Sequence, residues 1–108
     1  MNQNSQLIRV CGDKLTLELE VQIHLENEIY VAVIPALDLA THGDSEDDAH
    51  ASAVTTAKLF VEEIIKNKTI DDVLNDLGWE KIESENDRES SFVPPKIISR
   101  KALLSCHV

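Results

Sequence analysis

Tyr-Val-Ala-Val-Ile-Pro-Ala-Leu-Asp-Leu-Ala-Thr-His-Gly-Asp-Ser-Glu-Asp-Asp-Ala, residues 30–49, is the stretch whose reading decides the fold. From Ile29 to Ile34 the chain is apolar at nearly every position, the pattern of a central, better covered strand. Pro35 ends that strand, because proline has no N–H to donate to a ladder. Leu39 to His42 is long enough for a short further strand, and Gly43 supplies a turn. Ser45 then marks a helix start. Its hydroxyl is placed to accept from backbone N–H groups of the first turn, and Asp48 stands three residues on, where a side chain is able to reach back. Glu46, Asp47 and Asp48 also sit where the helix dipole favours negative charge. The helix presents Ala49, Ala53, Ala57, Phe60 and Ile64 at spacings of four, four, three and four, which is one helical face. Val54, Val61 and Ile65 widen that stripe. Its first half is small, so the helix is expected to lie close against a sheet.

Upstream of this stretch, every odd position from Leu15 to Leu25 is apolar: Leu15, Leu17, Leu19, Val21, Ile23 and Leu25. Alternation with period two places all six on one face of a strand, and Glu18, Glu20, Gln22 and His24 on the other. A strand with one wet face belongs to an antiparallel sheet. Glu26-Asn27-Glu28 reads as a tight turn, with Asn27 able to take positive φ, so residues 15–25 and 29–35 are expected to form a hairpin. Before it, Leu7 to Val10 reads as a short strand and Gly12-Asp13 as a turn. Residues 1–6 are polar and expected to fray.

Downstream, Asn67-Lys68 breaks the helix, Thr69 is placed to cap a short second one over Ile70 to Leu77, and Gly78 stops it. Trp79 is expected to pack back onto the core rather than stand as an interface anchor. Residues 83–95 read as a linker, because Glu83 to Ser91 is polar and charged without apolar periodicity. Residues 96–108 read as a basic tail or a late strand over Leu104 to Val108. Strands first and helices after argue for one α+β domain spanning residues 1–108: a small antiparallel sheet of three to four strands with one long helix across a face.

The composition narrows the function classes. The chain has 108 residues, 43% hydrophobic and 28% charged, which suits one globular domain, and only 4% aromatic, so the core must be aliphatic. Twenty acidic residues against ten basic give a net charge of -10, which disfavours nucleic-acid binding and favours a basic partner. The exception is Phe92 to Val108, which holds no acid but carries Lys96, Arg100 and Lys101. No export signal or membrane-length apolar run is seen, and Cys11 and Cys106 form no CxxC pair, so a cytoplasmic protein with reduced thiols is expected.

Tyr30, Ala32, Pro35, Leu37, Gly43, Asp44, Ser45, Asp48 and Ala49, in this order and spacing, resemble the HicB-like antitoxin family. The resemblance covers roughly residues 15–66. It implies a small sheet with a helix across it, a reduced ribonuclease H-like core. It also implies a non-enzymatic protein that neutralises a small basic RNA-cleaving toxin of HicA type by binding it. Two features depart from the family. Its usual glycine before the aromatic strand residue is replaced by Glu28-Ile29, and no ribbon-helix-helix or helix-turn-helix pattern follows Ile65, which puts DNA binding in doubt.

The densest polar group, Asp38, His42, Asp44, Glu46, Asp47, Asp48 and His50, is the one place with the residue types for a metal-dependent nuclease. Its spacing matches no defined metal motif, and residues 46–48 already have a capping role, so neither metal nor cofactor is expected. No nucleophile elbow or phosphate loop is present. Glu18, Glu20, Gln22 and His24 are the candidate partner-binding surface. The alternatives are a stand-alone interaction domain of the same fold, with an unknown partner or with itself, and a metal-dependent nuclease.

Overall fold

The computed structural model describes residues 6–82 and 89–95, together with 100, 102, 103 and 105. It is α+β, but with two antiparallel sheets in place of one. β1 (Leu7–Cys11) and β2 (Lys14–Glu18) form a first hairpin; β3 (Gln22–Glu26) and β4 (Ile29–Ile34) form a second. After a 3-10 turn at Pro35–Leu37 come β5 (Leu39–Gly43), α1 (Glu46–Lys66), α2 (Ile70–Asp76), β6 (Glu80–Ile82) and β7 (Glu89–Val93). One sheet has the order β2-β1-β7-β6 and the other β3-β4-β5.

The single strand expected over residues 15–25 is therefore corrected. It is split between the sheets, with Leu19 to Val21 carrying the chain from one to the other. The alternation survives the break: positions 15, 17, 19, 21 and 23 are half-buried, and 18, 20, 22 and 24 are exposed. Periodicity specifies which face a residue takes but not which strand it bonds to. Here a two-residue turn at each end, Gly12-Asp13 and Asn27-Glu28, gives each half its own partner.

The linker expected over residues 83–95 is also corrected in part. Glu89 to Val93 is a strand inside the four-stranded sheet, paired to β1 on one side and β6 on the other. Phe92 is buried opposite Ile8 in register, and both belong to the core. Polar neighbours hid this strand, because Ser90 and Ser91 carry no apolar signal and a five-residue strand offers few positions to count. Residues 83–88 and most of the tail, with the expected strand over 104–108, lie outside the described residues apart from Ser105. Gln6, expected to fray, accepts a hydrogen bond at Oε1 from the Glu20 N–H at 2.9 Å.

The core sits where α1 crosses β4 and β5. Ala49, Ala53, Ala57, Val61 and Ile64 are buried, against Ala32 and Ile34 of β4. Val54, expected in the stripe, is instead 51% exposed. Gly43 ends β5 so close to α1 that a Cβ there would stand 2.7 Å from the carbonyl carbon of Asp48 and 2.8 Å from its Cβ. Both helices end on a Schellman motif. Thr69 N–H reaches Ile64 O and Lys68 N–H reaches Ile65 O after α1; Trp79 N–H reaches Leu74 O and Gly78 N–H reaches Asn75 O after α2. Lys68 at φ 60° and Gly78 at φ 91° make the left-handed turns. Thr69 precedes α2, but its side chain does not cap it; its hydroxyl donates to Ile64 O at 3.4 Å. Trp79 is 3% exposed, as a core residue, and its Nε1 donates to Ala36 O at 2.7 Å. That bond ties the end of α2 to the turn after β4.

Two predictions follow from backbone geometry. Asn27 and Glu28 both have positive φ, 51° and 69°, the requirement of the primed two-residue hairpin turn. A glutamate held there is strained by about 1 kcal/mol relative to glycine. Glu28→Gly is expected to raise stability by about 1 kcal/mol, read as a higher urea midpoint at unchanged slope. Gly43→Ala is expected to lose about 2 kcal/mol or more, because the atoms it meets are largely backbone and have no rotamer to escape into. A Gly43→Ala chain that melts with the wild type would contradict that close approach.

Candidate functional site

Glu18 ends β2, Glu20 lies in the crossover, and Gln22 and His24 lie on β3. Side chains two apart along an extended chain share a face, so the four form one exposed row, which Glu26 continues. The row spans roughly 25 Å at the ordinary rise of a strand. It runs along free edges, since β2 is outermost in one sheet and β3 outermost in the other. Gln22 Nε2 donates to Glu20 Oε1 at 3.0 Å, and His24 Nε2 lies 3.2 Å from Glu26 Oε2. These contacts are solvent-exposed and worth little to stability. Charged side chains along an edge also discourage strand-to-strand association with other chains. The sequence found this row by alternation alone. It did not find that the row lies along the edges of two sheets, nor that the Gln6 side chain bonds the backbone in its middle.

Beside the row lies the outer face of the three-stranded sheet. The register sets Val31 between His24 of β3 and His42 of β5, and Val33 between Gln22 and Ala40. Thr41, one residue before His42, faces the helix and shares a 2.6 Å hydrogen bond with Ser52, so His42 points the other way. A cavity of about 310 Å³ opens here, lined by Glu26, Asn27, Ile29, Val31 and His42. This face is an apolar stripe between polar borders.

The motif residues serve architecture. Ala32 is fully buried against the helix, Pro35 opens the 3-10 turn, and Leu37 is buried beneath it. Tyr30 is half-buried at the edge of the core. Ser45 caps α1, its Oγ accepting from Asp48 N–H at 3.0 Å. Ala49 N–H reaches Ser45 O at 2.9 Å, which closes the first turn beneath Gly43.

The acidic and histidine residues from Asp38 to His50 do not converge. Asp38 holds a left-handed turn at φ 55°, His42 faces away from the helix, and Glu46, Asp47 and Asp48 fan around the first turn of α1. Among the described residues no group of three or more histidine, cysteine or carboxylate side chains is placed to share a cation. Cys11 is exposed and unbonded; Cys106 lies outside the described residues. Among the described residues no helix is long and apolar enough to cross a membrane. Comparison of the chain with protein-family models, with curated proteins and with solved structures finds no match.

The cap gives a clean test of what Ser45 does. Ser45→Ala is expected to lose about 1 kcal/mol, and Ser45→Asp to recover most of it, because a carboxylate also accepts from the first-turn N–H groups. Denaturation midpoints of the three chains decide it. Equal instability of both variants would rule capping out.

Proposed function

We propose that this chain is a non-enzymatic binding protein of the HicB-like antitoxin type, which neutralises a small basic RNA-cleaving toxin by covering its active surface. The observation that carries the reading is the exposed row Glu18, Glu20, Gln22 and His24 along the free edges of β2 and β3, on a chain of net charge -10. It is joined to a Tyr30-to-Ala49 motif whose glycine and serine have the structural roles described above. A basic partner meets the acidic row first, at long range. The neighbouring stripe of Ile29, Val31 and Val33 then supplies the apolar contact that holds it. Charge sets the association rate, and desolvated apolar area sets the lifetime of the complex. This function needs no metal, cofactor or nucleophile. The alternative is a stand-alone interaction domain of the same fold, with an unknown partner or with itself.

The test is the association rate with a small basic RNA-cleaving toxin of HicA type, at low and high salt. Reversing Glu18 and Glu20 to lysine is expected to slow association about tenfold at low salt and much less at high salt, with melting unchanged because both side chains are exposed. Equal rates in both chains, insensitive to salt, would remove the electrostatic mechanism. RNA cleavage by the purified chain, lost on Asp44→Ala and with chelator, would overturn the binding-protein reading.

A further inference from the structure

The apolar face of the β2–β3 ribbon is never fully covered. None of its six alternating apolar residues is buried, whereas Ala32 and Ile34 on the adjacent strand are 0% and 1% exposed. The shortfall opens as a groove between β2 and the flank of α1. One part, about 450 Å³, is lined by Leu15, Leu17, Val54, Lys14, Lys58 and Glu62. A second part, about 290 Å³, shares Leu15 and Glu62 with the first and extends to Ile65 and Lys66. Val54 stands 51% exposed beside it.

The charges around this groove differ from those of the rest of the chain. Three lysines, Lys14, Lys58 and Lys66, face two acids, Asp13 and Glu62, in a protein with twice as many acidic as basic residues. The ion pairs among the described residues are Arg9 with Glu89, His24 with Glu26 and Lys81 with Asp71, so none of the five groove charges is paired with another described residue. Two copies of an acidic protein repel each other over most of their surfaces. Around this groove both signs are present side by side. Residues 54, 58, 62 and 66 recur every four and form one line along α1. When two such lines run antiparallel about an axis level with residue 60, Lys58 faces Glu62 twice, and the Lys66 stem lies over Val54.

We propose that this flank of α1, with Leu15 and Leu17 of β2, is the docking surface for a second copy of this chain, arranged so that Lys58 of one protomer pairs with Glu62 of the other. The contact is isologous: one self-complementary patch serves both protomers. It rests on the apolar face of the ribbon and leaves the row Glu18 to His24 on the opposite face open. The proposal does not depend on what that row binds.

The experiment is sedimentation equilibrium of the whole chain over a concentration series, for wild type, Lys58→Glu, Glu62→Lys and the double swap. Wild type is expected to show a monomer–dimer equilibrium. Each single reversal sets like charges together and is expected to weaken the dimer about tenfold or more; the double swap restores the pairing to within about threefold of wild type. Val54→Ser, which leaves the charges alone, weakens it as well. All these side chains are exposed, so each variant is expected to fold, with circular dichroism as the check. A wild type that is monomeric at every concentration overturns the proposal. So does a dimer that ignores the single reversals, or a double swap as weak as either single.

Discussion

The architecture depends on how closely α1 approaches β4 and β5. Gly43 has no side chain, so the end of β5 runs directly beneath the first turn of the helix. Ala49, Ala53 and Ala57 keep that separation small along the first half of the helix, with Ala32 opposite on β4. Ser45 closes the turn that this approach leaves exposed. The spacing is set by backbone contact rather than by large side chains, so the helix has little freedom to shift. The larger buried residues Val61 and Ile64 lie in the second half of α1, and Leu74 of α2 joins them in the core.

Around that seam the chain joins two sheets through one ribbon. Residues 14–26 supply an edge strand to each, with three residues between them. The far end of the chain is fastened separately. Trp79 buries its ring and bonds Ala36 O, and Phe92 sits opposite Ile8. Removing the β7 strand would leave β1 bonded on one side only. Sequence-distant segments thus complete the sheet that the first hairpin begins.

The two faces of the ribbon divide the surface chemistry. Its even positions carry carboxylates, an amide and an imidazole toward water, and its odd positions carry aliphatic groups that the helix only half covers. The first face is exposed and carries carboxylates with little counter-charge beside them, so any long-range attraction of a cation through it weakens with salt. The second face has both charge signs at its rim and apolar surface between them, which suits a close, self-matching contact. Neither demands catalytic geometry, and the acid-rich turn before α1 is explained by the helix dipole and the cap.

Local patterns were legible in the sequence because their causes are local. The Ser45 cap, the positive φ of Asn27, the stop at Gly78 and the alanine face of α1 each follow from a few neighbouring residues and held in the structure. The in-and-out assignment held from Leu17 to His24, since alternation is a property of any extended chain, but failed at the ends, where Thr16 is half-buried and Leu25 is 60% exposed. The row Glu18 to His24 was therefore visible as a polar face. Hydrogen-bond partnership was not visible, because a strand's period carries no information about which neighbour it will find. So the break at Leu19 to Val21, the second sheet and the strand at Glu89 to Val93 were decided only in three dimensions. Val54 is the same lesson on the helix: its spacing fits the apolar stripe, but it stands over the open groove between α1 and β2 at 51% exposure, and only tertiary packing determines where coverage ends.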